Sequence, residues 1–90
     1  MKLDVKATAL TIGLLWGAAM FLTGTANLIW DGYGEDFLDV MASGYPGYDA
    51  TASFGQVIVG TLYGLLDGTA GGAVVAWLYN RLAARQLSAA

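Results

Sequence analysis

Cysteine and histidine are both absent from these 90 residues, and only four bases stand against seven acids, a net charge of −3. Without a thiol or an imidazole there is no disulfide and no thiolate or imidazole metal site, which disfavours zinc, iron–sulfur centres and His-ligated haem or chlorophyll. No cofactor is expected. A nucleic-acid partner is also disfavoured, because phosphate neutralisation needs a basic face and the chain has none. No Ser/His/Asp set, phosphate loop or nucleotide fingerprint occurs, so an enzyme is not expected. Charged residues make up 12% of the chain, well below the roughly one-quarter share of a soluble domain. Hydrophobic residues make up 57%. The implied solvent is lipid, and the chain is short enough to be one domain.

Two long apolar runs fill most of that domain. The first, 7–30, is broken only by Thr, Gly and one Asn, and about 20 such residues span a bilayer. A cleaved secretory signal is the alternative, since Lys2 and Lys6 lead in and Gly24-Thr25-Ala26 has the small-x-small look of a cleavage site. The run exceeds an ordinary signal core, so a spanning helix is the expectation, with Asp4 as its N-cap. The second run is expected to span at 54–82, opened by the capping box Ser53-Phe54-Gly55-Gln56. A short tail follows at 83–90.

Between the runs, 31–53 turns to Gly, Asp, Tyr and the single Pro. Glu35 to Met41 places Phe37, Leu38, Val40 and Met41 apart from the acids, the spacing of a short interfacial helix over about 35–43. Gly44 ends it, and Tyr45-Pro46-Gly47-Tyr48 reads as an extended or turn segment. The loop holds Asp31, Glu35, Asp36, Asp39 and Asp49 and no base. Their spacing fits no calcium loop, so a solvated acidic face is expected. All four bases, Lys2, Lys6, Arg81 and Arg85, flank the outer ends of the two runs. By the positive-inside rule both termini are cytoplasmic and the loop is outside, in a multi-pass protein of the cytoplasmic (inner) membrane. Trp30 and Tyr33 at one end, and Trp77 and Tyr79 at the other, suit the headgroup level as interface anchors. Trp16 lies deeper, where that rule does not explain it.

The second run carries small residues four apart, Gly60, Gly64, Gly68, Gly72 and Ala76, with Gly71 beside them. A face of nearly bare backbone lets another helix approach closely, as in a glycine zipper. One reading pairs it within the chain, with Gly13 and Gly17 at about the depth of Gly72 and Gly68. The other leaves Gly60 and Gly64 for contacts between chains. Beside the ladder sits Asp67, the only ionisable residue of the run, and a carboxyl in lipid is costly enough to be functional or tightly partnered. A structural role would use Tyr63 or Thr69 as donor. A functional role would make it a proton or cation site, or part of a narrow polar ring.

Lys2-Leu3-Asp4-Val5-Lys6-Ala7, Gly13-Leu14-Leu15-Trp16-Gly17, Leu66-Asp67-Gly68 and Ala76-Trp77-Leu78-Tyr79-Asn80 resemble a group of short bacterial two-span proteins labelled bacteriophage holin. The resemblance covers both runs and not the loop, and implies membrane insertion and self-association. Glycine-rich packing around one membrane carboxyl is also similar to the proton-carrying hairpin of rotary ATP synthases. That hairpin has a short polar loop with an Arg-Gln-Pro motif, which this loop lacks. The expected fold is an all-α transmembrane hairpin assembled into a homo-oligomer. The expected function is a pore or channel-like membrane protein, with the lipid bilayer and further copies of itself as partners. The alternative is a non-conducting structural subunit of a larger membrane complex, or a self-assembling scaffold.

Overall fold

Asp4 starts the first helix as expected: its side chain accepts the N–H of Ala7 at 2.9 Å, satisfying one of the donors a helix start leaves free. In the computed structural model, which describes residues 2–49 and 53–89 with side chains as far as Arg85, α1 is Val5–Ile29, α2 is Glu35–Gly44 and α3 is Phe54–Ala89. Met1, Ala50, Thr51, Ala52 and Ala90 lie outside the described residues, so parts of the expected loop and tail do too. All regular structure among the described residues is helical, and α1 and α3 are each long and apolar enough to cross a membrane. The start of α3 forms half of the expected capping box. The N–H of Gln56 reaches Ser53 Oγ at 3.2 Å, while Gln56 Oε1 is turned to the loop and accepts the N–H of Asp49 at 2.9 Å.

The two long helices pack antiparallel in one constant register, in which Ala9 faces Gly72, Gly13 faces Gly68, Gly17 faces Gly64 and Gly24 faces Val57. At one end the pair is clamped by Asn80, whose side chain accepts the Leu3 N–H at 2.7 Å and donates to the Leu3 carbonyl at 2.8 Å. This register lies one helical turn from the expected one, which matched residues by depth alone. Close nesting sets it: a Cβ on Gly68 would stand 2.7 Å from the Ile12 carbonyl oxygen and 2.9 Å from the Gly13 Cα. Gly60 and Gly64 are also taken up inside the chain, Gly60 by Tyr48 and Met20 and Gly64 by Met20 and Gly17. Within one chain, then, the face carrying Gly60, Gly64 and Gly68 is covered by α1 and by Tyr48. Gly71 faces away, with nothing within 4 Å of an added Cβ. Polar groups of α1 and α3 are mostly satisfied locally: Thr11 and Thr61 donate to carbonyls one turn back, and Thr25 Oγ1 alone is buried without a partner among the described residues.

After α1 the chain reverses sharply. Gly32 and Gly34 have φ of 80° and 65°, a region that L side chains rarely adopt. Asn27, buried near the end of α1, donates to the Tyr33 carbonyl at 2.9 Å and ties the turn down. A Cβ on Gly34 would come within 2.5 Å of Thr23, so the reversal lies flat against α1. From there α2 runs back alongside the pair, Phe37 meeting Trp16 edge-on at 6.1 Å and Leu38 packing with Met20. Thr23 to Trp16 is seven residues, so the segment descends by about 10 Å. The molecule measures 54 × 21 × 19 Å, and its long axis is the length of the 36 residues of α3 at about 1.5 Å each. Leu38 is 2% exposed and Val40 66%, because the inward face is Phe37, Leu38, Met41 and Ala42, which leaves Val40 on the outside with the acids.

Candidate functional site

The descent of α2 ends by placing Tyr45 against Asp67. Its hydroxyl donates to Asp67 Oδ2 at 2.7 Å and lies 3.1 Å from Trp16 Nε1. An indole N–H can only donate, so the tyrosine oxygen accepts from Trp16 and its own hydrogen goes to the carboxyl. Asp67 Oδ2 is therefore an acceptor. Three residues from three parts of the chain form one directional chain of hydrogen bonds.

Each element of that site has a local cause. Gly64 and Gly68 lack a Cβ, and Trp16 occupies the space: its carbonyl oxygen lies 3.2 Å from a Cβ built on Gly64, and its Cβ 2.8 Å from one on Gly68. Tyr45 caps α2, and Pro46-Gly47 then turn the chain, with the Tyr48 N–H on the Tyr45 carbonyl at 3.0 Å and Gly47 at φ 83°. Tyr63, one turn before Asp67, stacks on Tyr45 with centroids 4.9 Å apart and planes 9° apart, and its hydroxyl donates to the Pro46 carbonyl. Tyr48 sits edge-on to Tyr45 at 6.3 Å and fills the space over Gly60. Tyr45 and Tyr48 are each 7% exposed. Burial pushes both hydroxyls above the ordinary tyrosine value, reinforced at Tyr45 by the bond to Asp67 against a smaller lowering by Trp16, and at Tyr48 by the charges of Asp49 and Asp39.

The donor to Asp67 is thus Tyr45, not Tyr63 or Thr69. Tyr63 is spent on Pro46, and Thr69 lies on the seam beside Gly13. Asp67 itself remains exposed on the outside of the helix pair, as do Glu35, Asp36 and Asp39 on the outer face of α2. Among the described residues no three acidic side chains gather into a metal-holding group. What the arrangement can do is present one exposed carboxyl group, oriented through Oδ2, near the middle of the apolar length of α3. That is the chemistry of a proton or cation contact, or of a polar contact to a further helix.

The remaining sequence-selected residues sort to the two ends. Trp30 and Tyr33 are exposed at the reversal, their rings 6.2 Å apart. Trp77 and Tyr79 are exposed at the other end, with the Arg81 guanidinium 5.4 Å above the Trp77 ring. The Leu3–Asn80 clamp brings Lys2 and Lys6 to the same end as Arg81 and Arg85. Tyr45, Tyr48 and Trp16 were not among the sequence-selected residues. Two signals pointed their way: a tryptophan too deep for an interface anchor, and tyrosines on either side of the only proline-glycine turn. No family model, curated protein or solved structure matches the chain.

Proposed function

We propose that the protein is a holin-like, homo-oligomeric, channel-like protein of the cytoplasmic membrane, with both termini cytoplasmic and Asp67 as the polar element of the path it forms. The observation that carries this reading is the exposure of Asp67 at mid-helix. A carboxylate facing lipid costs several kcal/mol, and the two long helices of one chain leave it open on their outer side. A ring of chains would enclose it. Residues 35–49 would then be a re-entrant segment, with irregular backbone at membrane depth tolerated because its outer, acidic side faces water inside the assembly. Since the glycine ladder is filled within each chain, self-association would run through the outer faces of α2 and α3.

The rival reading, a non-conducting accessory or scaffold chain, is favoured by the Trp16–Tyr45–Asp67 bonds, which partly satisfy the carboxylate without a second chain. Reconstitution separates the two. Asp67→Asn keeps an oxygen for Tyr45 and removes the charge, so in the channel reading proton or cation flux across liposomes changes in size or pH dependence while crosslinked oligomers persist. Wild-type liposomes that stay tight from acidic to neutral pH, with the chain inserted and oligomeric, would favour the scaffold.

A further inference from the structure

At the end of the molecule opposite the reversal, the start of α1 and the last turns of α3 enclose a cleft of about 720 Å³. Lys2, Arg81 and Arg85 line it together with Val5, Trp77 and Asn80, and no acid is among the lining residues. None of the three cations is in an ion pair among the described residues. Asn80 spends its side chain on the Leu3 backbone, so the two walls are pinned before anything binds. Arg81 is held over the Trp77 ring at 5.4 Å, which orients a guanidinium and leaves its N–H edges open. Val5 and Trp77 are 41% and 55% exposed and give the cleft an apolar floor on the side of the long helices.

We propose that this cleft is a binding site for one anionic phospholipid, its phosphate held by Lys2, Arg81 and Arg85 and its glycerol and upper acyl carbons lying on Val5 and Trp77. Three observations converge on that ligand. Cations from the segment before α1 and from α3, in no ion pair among the described residues, surround one space, which calls for an anion that can accept several donors, as phosphate does. The floor is apolar, which a free phosphate would not use. The cleft also sits at the end of two helices apolar enough to cross a membrane, the level of lipid headgroups. The site rests on the membrane placement of the chain and is independent of conduction.

Native mass spectrometry of the intact chain released from nanodiscs with equal phosphatidylglycerol and phosphatidylcholine reads the retained lipid directly. Wild type retains phosphatidylglycerol preferentially, and Arg81→Gln or Arg85→Gln each lowers that retention about fivefold, the effect of one cation near a headgroup. Lys6→Gln removes a charge from the same end but outside the cleft and leaves retention within about twofold of wild type. Trp77→Ala lowers retention of lipid with all three cations in place. Equal losses in Lys6→Gln and Arg81→Gln would reduce the effect to net charge, and equal retention of both lipids by wild type would remove the site. Displacement of the lipid by inorganic phosphate alone would make it an ion site instead. A chain that fails to insert overturns the membrane placement and the site with it, whereas one that inserts without selecting a lipid overturns only the site.

Discussion

Gly68→Ala and Gly71→Ala, three residues apart on α3, should move stability in opposite directions. At Gly68 the new methyl would meet the Ile12 carbonyl oxygen at 2.7 Å, the Trp16 Cβ at 2.8 Å and the Gly13 Cα at 2.9 Å, none of which is the tip of a flexible side chain. Restoring ordinary contact moves α1 and α3 apart locally by roughly 1 Å, a gap that forfeits a quarter to a half of each contact's dispersion energy. Overpacking of this kind costs about 1–3 kcal/mol, against at most about 1 kcal/mol gained by replacing glycine inside a helix. With the full helical gain subtracted, the net is a loss of up to about 2 kcal/mol. At Gly71 nothing lies within 4 Å, so only the helical gain remains. Reversible unfolding in mixed micelles, followed by circular dichroism, measures both. A silent Gly68→Ala would mean that the seam between α1 and α3 is not where the helices touch. A destabilising Gly71→Ala would place a contact between chains on that face. If Gly68→Ala left unfolding unchanged but lowered the order of crosslinked oligomers, the ladder would belong between chains after all.

Tyr45→Phe keeps the ring on Tyr63 but leaves Trp16 Nε1 and Asp67 Oδ2 without their partner, and should cost about 1–3 kcal/mol in the same unfolding assay. Asp67→Asn retains an acceptor for Tyr45 and should cost less than about 1 kcal/mol; equal losses in the two variants would refute the directional chain. The raised hydroxyls of Tyr45 and Tyr48 keep their protons in the folded chain above the pH near 10 at which an unfolded tyrosine loses its own. Stability is thus fully present below about pH 10 and falls as pH rises from there through the folded values. Tyr48→Phe should flatten that alkaline decline, and an unchanged slope would show that Tyr48 does not contribute to it. Asn80→Ala removes both bonds to Leu3, and hydrogen exchange of the Leu3 amide should quicken about tenfold, the equivalent of roughly 1.4 kcal/mol. No change in that exchange would refute the clamp.

Residues near one another in sequence carried most of the helical layout. The apolar runs place α1 and α3, the Asp4 cap and the Ser53 start lie within three residues of the groups they serve, and Glu35–Gly44 stands one residue beyond the expected 35–43. Local periodicity and capping chemistry are enough for that, because a helix in lipid must satisfy its backbone within itself. The small residues of both helices were legible in the same way, since a residue without a Cβ marks where a neighbour comes close. Which neighbour comes close was not legible. Gly13, Gly17, Gly60 and Gly64 offer equivalent faces to any helix, and only the nested register with its Leu3–Asn80 clamp shows which neighbours they meet within the chain. The position of α2 was not legible either. Its amphipathic pattern fits a membrane surface as well as the flank of a hairpin, and the difference lies in two glycines at positive φ that fold the segment back along α1. Asp67 stood out in the sequence as one carboxyl in an apolar run, but its donor lies 22 residues away across a turn, at a separation that carries no periodic signal. Only folding brought Trp16, Tyr45 and Asp67 together, because each lies on a different element and all three meet only when the connection packs back against the pair.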